Sequence, residues 1–117
     1  MGKEKRKVPK EYLGVRDLPR NTHLKYPNGR EIKGKVVDEV YLENSGKGGD
    51  YLFVIQKIDY EDVPDPDAEN PWIRFGYYRK EHDEDRYRWG SQTTFQIDKR
   101  RVEEIVKKAV DKGFLEL

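Results

Sequence analysis

Residues 72–80 read WIRFGYYRK and residues 86–97 read RYRWGSQTTFQI, joined by the wholly polar EHDED. Both stretches alternate with a period of two. Odd positions Ile73, Phe75, Tyr77, Tyr87, Trp89, Phe95 and Ile97 form an apolar set, and even positions Arg74, Tyr78, Lys80, Arg86, Arg88, Gln92, Thr94 and Gln96 form a polar one. Successive side chains of a strand leave from opposite faces. The pattern therefore predicts an antiparallel hairpin with one face in the core and the other carrying arginines, a tyrosine and amides. A turn at Glu81 to Asp85 sets Lys80 opposite Arg86, Tyr78 opposite Arg88 and Tyr77 opposite Trp89. Like charges side by side cost stability unless an anion lies between them. Gly76 and Gly90 interrupt the two strands and predict bends or bulges in a curled sheet.

Working upstream, residues 35–43 (KVVDEVYLE) and 50–60 (DYLFVIQKIDY) are rich in Val, Ile, Tyr and Phe, with the turn-forming NSGKGG between them. Leu52, Phe53, Val54 and Ile55 are consecutive, as in a strand buried on both faces. Asn28-Gly29 predicts a hairpin turn within residues 23–33, because both residues tolerate positive φ, and Pro27 keeps its first strand short. Downstream, residues 98–113 carry Val102, Ile105, Val106, Ala109 and Val110 at helical spacing, with Asp98 as N-cap and Gly113 as terminator. The sum is an α+β fold: a curved antiparallel sheet of five or six strands, able to close part-way into a small barrel, with one packed C-terminal helix. Residues 1–10 read as a basic flexible arm and residues 11–117 as a single domain.

Composition narrows the function classes. The chain has 117 residues, 40% of them charged, with 24 Lys and Arg against 23 Asp and Glu and no cysteine. Thiolate metal sites, disulfides and cysteine nucleophiles are excluded. No apolar run reaches the length of a membrane span or a signal peptide, so the expectation is a small cytoplasmic protein without a membrane partner. The dense, balanced surface charge is a weak thermophile trait.

Catalytic signals are sparse. The acidic stretch 59–71 offers Asp59, Glu61, Asp62, Asp65 and Asp67, oxygen ligands suited to Mg²⁺ or Ca²⁺. It lacks the turn glycine and closing glutamate of a calcium loop. It reads as a mobile, solvated loop, with a metal-dependent hydrolase as the enzyme alternative. SGKGGD at 45–50 precedes a strand, not a helix, and lacks phosphate-loop spacing. No catalytic residues, metal ligands or cofactor are assigned.

The remaining signal is the even-numbered hairpin face. Arg74, Tyr78, Lys80, Arg86, Arg88 and Gln92 combine cations for phosphates, a ring for bases and an amide for hydrogen bonds. Residues 86–112 hold eight basic and four acidic residues, a local excess of +4. The order of curved antiparallel strands and then one helix, over the last third of the chain, resembles that of the Whirly and Pur-type single-strand-binding families. The resemblance lies in element order, so it implies single-stranded nucleic acid as a partner and carries no residues over. The expectation is a non-enzymatic nucleic-acid-binding module, the alternative a small protein-interaction domain using the same face or the acidic loop.

Overall fold

The computed structural model describes residues 8–46, 49–62, 69–90 and 98–117. Strands β1 (Arg20–Lys25), β2 (Glu31–Gly46), β3 (Gly49–Tyr60), β4 (Trp72–Lys80) and β5 (Arg88–Trp89) form one antiparallel sheet in sequence order, and helix α1 (Lys99–Asp111) follows. The sheet curls into a half-barrel, as the α+β reading expected. The hairpin expected in residues 23–33 and the strand expected at 35–43 share one long β2. Residues 91–97, the acidic residues 63–68 and residues 1–7 of the basic arm lie outside the described residues.

The β1–β2 connection shows how the local sequence works. The Gly29 N–H donates to the Tyr26 carbonyl at 3.0 Å and the Tyr26 N–H to the Arg30 carbonyl at 2.8 Å. Pro27 and Asn28 thus form the centre of a type I turn, and Gly29 follows at φ 89°. Only the glycine uses the left-handed region; Asn28 instead accepts the Arg30 N–H on its side-chain oxygen at 3.0 Å.

One face of the sheet is closed by α1. Val40, Leu42, Phe53, Ile55 and Tyr77 bury against Ile105 and Ala109. The Gly113 N–H donates to the Val110 carbonyl and the Phe114 N–H to the Ala109 carbonyl, ending the helix where the sequence places the glycine. Asp98 sits at the N-cap position, but its carboxylate pairs with Arg101 instead of capping the helix. Val102 lies on the helix's exposed side.

The β4–β5 register corrects the sequence reading. Tyr78 opposes Trp89 and Arg79 opposes Arg88, one residue away from the expected pairing. A slip of one residue sends every side chain of a strand to the other face. Tyr87 therefore packs with Tyr78 and Leu52 on the face away from the helix, and Trp89 joins Arg74 there. The facing like charges are Arg79 and Arg88, not Lys80 and Arg86, and each has its own acid: Arg79 pairs with Glu81 and Arg88 with Glu84.

Packing accounts for the shift. A Cβ at Gly76 would overlap the indole of Trp89, and one at Gly90 would overlap the ring of Tyr77. The glycines expected to bend the strands instead make room for a ring apiece. The irregularity in the sheet falls in β2, between Val36 and Asp38.

The expected core set is corrected too. Phe75 is 54% exposed, because α1 is centred over β2 and β3 and leaves this part of β4 uncovered. Tyr78, expected on a solvated face, is buried by the chain before β1, where Tyr12 and Val15 pack over it. Val8 joins that cluster, and its N–H donates to Asp17 at 3.2 Å.

Candidate functional site

The face away from the helix is concave. In a flat sheet β1 and β4 would stand roughly 14 Å apart, three strand spacings. Here Arg20 of β1 donates from Nη2 to the Tyr78 hydroxyl of β4 at 2.5 Å, and Arg74 of β4 donates from Nη2 to Thr22 of β1 at 3.1 Å. The curl brings the two strands together over β2 and β3.

The irregularity at Val36/Asp38 aims the key acid. Ahead of it, Ile32 and Val36 pack with Leu18, Ile58 and Tyr60 in the core cluster nearest β1. An unbroken alternation would put Glu39 on the opposite face from Val36. The extra residue instead lets Glu39 pair with Gln56 and point into the curl. Its carboxylate is buried among four strands. Glu39 Oε2 accepts from Arg20 Nη2 and from Gln56 Nε2, both at 2.5 Å. Gln56 Oε1 in turn accepts from Arg74 Nε at 2.7 Å. The chain Arg20–Glu39–Gln56–Arg74 thus runs across the floor of the curl, with every link a side-chain hydrogen bond.

The charges on this floor do not balance. Two guanidinium groups face one carboxylate, and Glu39 forms its ion pair with Arg20. Burial disfavours the charge of Arg20, but Glu39 and the neighbouring hydroxyl of Tyr78 outweigh it and hold the group above its ordinary value. Arg74 has no carboxylate at ion-pair distance among the described residues, and burial lowers its pKa. Burial and the Glu39 charge push the Tyr78 and Tyr41 hydroxyls up, so both stay protonated.

Above this floor opens a cleft of about 530 Å³. Its walls are β1, through Arg20 to His23, and β5, through Arg88 and Trp89. Arg16 stands at its rim, and its carbonyl accepts from Arg20 Nη1 at 2.5 Å. Trp89 is 43% exposed, with the Arg74 guanidinium 5.0 Å from its ring centroid and the Tyr78 ring edge-on at 5.1 Å. The described lining holds four arginines, Arg16, Arg20, Arg74 and Arg88, and a histidine, with no Asp or Glu.

Of the residues singled out from sequence, Arg74, Tyr78 and Arg88 line this cleft. Lys80 lies outside it, 3.6 Å from Asp50 and over the Tyr87 ring. Arg86 belongs to the turn leading into β5, and Gln92 lies outside the described residues. Sequence reasoning missed Arg16, Arg20, Glu39 and Gln56, and placed Trp89 in the core. Gln56 did leave a trace, as a polar residue directly after four consecutive apolar ones in β3. Among the described residues no group of three or more His, Asp or Glu is placed to hold a metal ion, and no helix is long and apolar enough to cross a membrane.

No protein-family model, curated protein or solved structure matches this chain.

Proposed function

We propose that the chain is a binding module that takes an unpaired stretch of nucleic acid into the cleft between β1 and β5. The observation that carries this reading is the cleft's charge: four arginines and no acid in its described lining, over a floor where Arg74 lacks a carboxylate partner. Arg74 is half-buried and has no carboxylate at ion-pair distance among the described residues, so its charge is incompletely compensated, and an anion arriving there relieves that cost. Trp89 beside it supplies a ring on which a base can stack, and stacking tolerates any base. Phosphate and ring recognition within one cleft match the chemistry of single strands better than that of a bare anion.

The test is a polarisation titration with labelled single- and double-stranded oligonucleotides at two salt concentrations. Single-strand binding should weaken steeply with salt, by roughly 0.7 in log–log slope for each phosphate engaged. Arg74→Gln should weaken it about tenfold, the order of a lost charged hydrogen bond, and flatten that slope. No salt-sensitive binding near the micromolar range would defeat the reading and return the cleft to the protein-interaction alternative, with an acidic partner.

A further inference from the structure

Three observations limit how much of a strand the cleft can take. The first is its size. At about 530 Å³ it falls within the range of small-ligand sites, roughly 300–1,000 Å³. Grooves that track a strand non-specifically hold about 4–16 nucleotides per domain. The second is its outline. The cleft lies across the mouth of an unclosed half-barrel, where the sheet's two outermost strands, β1 and β5, face each other. A strand that enters meets a floor of Gln56, Arg74 and Tyr78, of which Gln56 and Tyr78 are buried.

The third is charge at one end. The turn leading into β5 sets Asp83, Glu84 and Asp85 beside Arg86 and Arg88. Asp83 and Asp85 are exposed. Glu84 is the acid that pairs with Arg88. Phosphates that engage Arg74 and then run on past β5 meet these carboxylates at close range, where like charges repel. Toward Thr22 and His23 on β1 the described lining carries no acid.

We infer that the cleft receives the end of an unpaired strand: one or two terminal nucleotides, with the base on Trp89, the phosphate at Arg74, and the chain leaving on the side away from the Asp83–Asp85 turn. This rests on the nucleic-acid reading above and narrows it from a strand to a strand end. A duplex is disfavoured, because all its bases except those of the terminal pairs are stacked on both faces and cannot reach the indole.

Indole emission is the readout, with three probes: a 5′-phosphorylated thymidine dinucleotide, a linear twelve-nucleotide thymidylate and the same twelve nucleotides closed into a circle. The dinucleotide should bind within about threefold of the linear strand, and the circle about tenfold or more weaker, since the terminal contacts supply the affinity. Trp89→Phe should abolish the quenching and keep the fold, the ring being partly exposed. Asp83→Asn combined with Asp85→Asn, outside the cleft lining, should raise the circle's affinity and leave the dinucleotide's unchanged. A circle that binds as tightly as the linear strand overturns the inference, as does an affinity that climbs more than about tenfold from two to twelve nucleotides. Either result leaves the nucleic-acid reading standing. Failure of all three probes to bind removes both.

Discussion

Phe53 and Ile55 leave β3 on one side and meet Ile105 and Ala109 of α1 in a wholly apolar cluster. Gln56, the next residue, leaves on the other side and enters a run of hydrogen bonds between two arginines and a glutamate. The two faces of this one strand are equally buried and differ in what satisfies them. The helix face is closed by shape, with ion pairs only at its margin, such as Lys112 with Asp38. The concave face is apolar at both ends, around Leu52 and around Ile58, and between them carries a polar floor that leaves one guanidinium without a carboxylate partner among the described residues. An apolar face rewards burial wherever it occurs, while a half-balanced polar face stays exacting about what completes it. Both faces bury apolar side chains, and only the second also buries a charged network.

The sharpest way to break this division is Ile105→Asp. A carboxylate in the helix-side cluster has no partner there and should cost about 3–5 kcal/mol, the scale of an unpaired buried charge. Chemical denaturation should show a midpoint far below the parent's, and a midpoint close to it would mean that the helix does not carry the fold. Glu39→Gln on the other face comes next. It strips Arg20 of its counter-charge and should destabilise by ~3 kcal/mol, yet it also removes the carboxylate beneath the cleft. Stability should fall while affinity for an anionic ligand rises, and parallel losses in both would show that Glu39 serves the fold alone.

A milder effect comes from the tyrosines. Burial pushes Tyr78, Tyr41 and Tyr60 up from their ordinary value of 10.0, and it pushes Tyr12, beside Glu43, up to about 12. The folded chain keeps these protons where the unfolded chain gives them up. The stability they confer is therefore complete below pH 10 and is lost as the pH rises from there through the folded values. Thermal melts between pH 8 and pH 11.5 should show a flat stretch and then a decline that begins near pH 10. A decline already complete by pH 9 would implicate other groups.

What the sequence revealed and what it hid divide along the same lines. Local signals were legible. The apolar stripe of Ile105 and Ala109, the stop at Gly113, the turn at Asn28-Gly29 and the doubly buried run Leu52 to Ile55 each act through near neighbours in the chain. The register of β4 and β5 was not legible, because two pairings one residue apart both satisfy alternation. Room for the Trp89 ring over Gly76 decides between them, and that is a three-dimensional fact. The site was hidden for a related reason. Arg20, Glu39, Gln56 and Arg74 sit on four strands, and only the curl and the irregularity after Val36 bring them together. In KVVDEVYLE, Glu39 reads as an ordinary solvent-facing residue until the extra residue turns it inward.

The separation of the two faces is tested most directly by the indole and backbone amide resonances of the ¹⁵N-labelled protein during titration with a short thymidylate. Trp89 and Trp72 give two indole signals, only the first from the cleft. The account predicts that the Trp89 indole and the amides of β1 and β5 shift together and saturate, while Trp72 and the amides of α1 stay in place. Shifts centred on α1, or a Trp89 signal that stays fixed while the oligonucleotide binds, would contradict it.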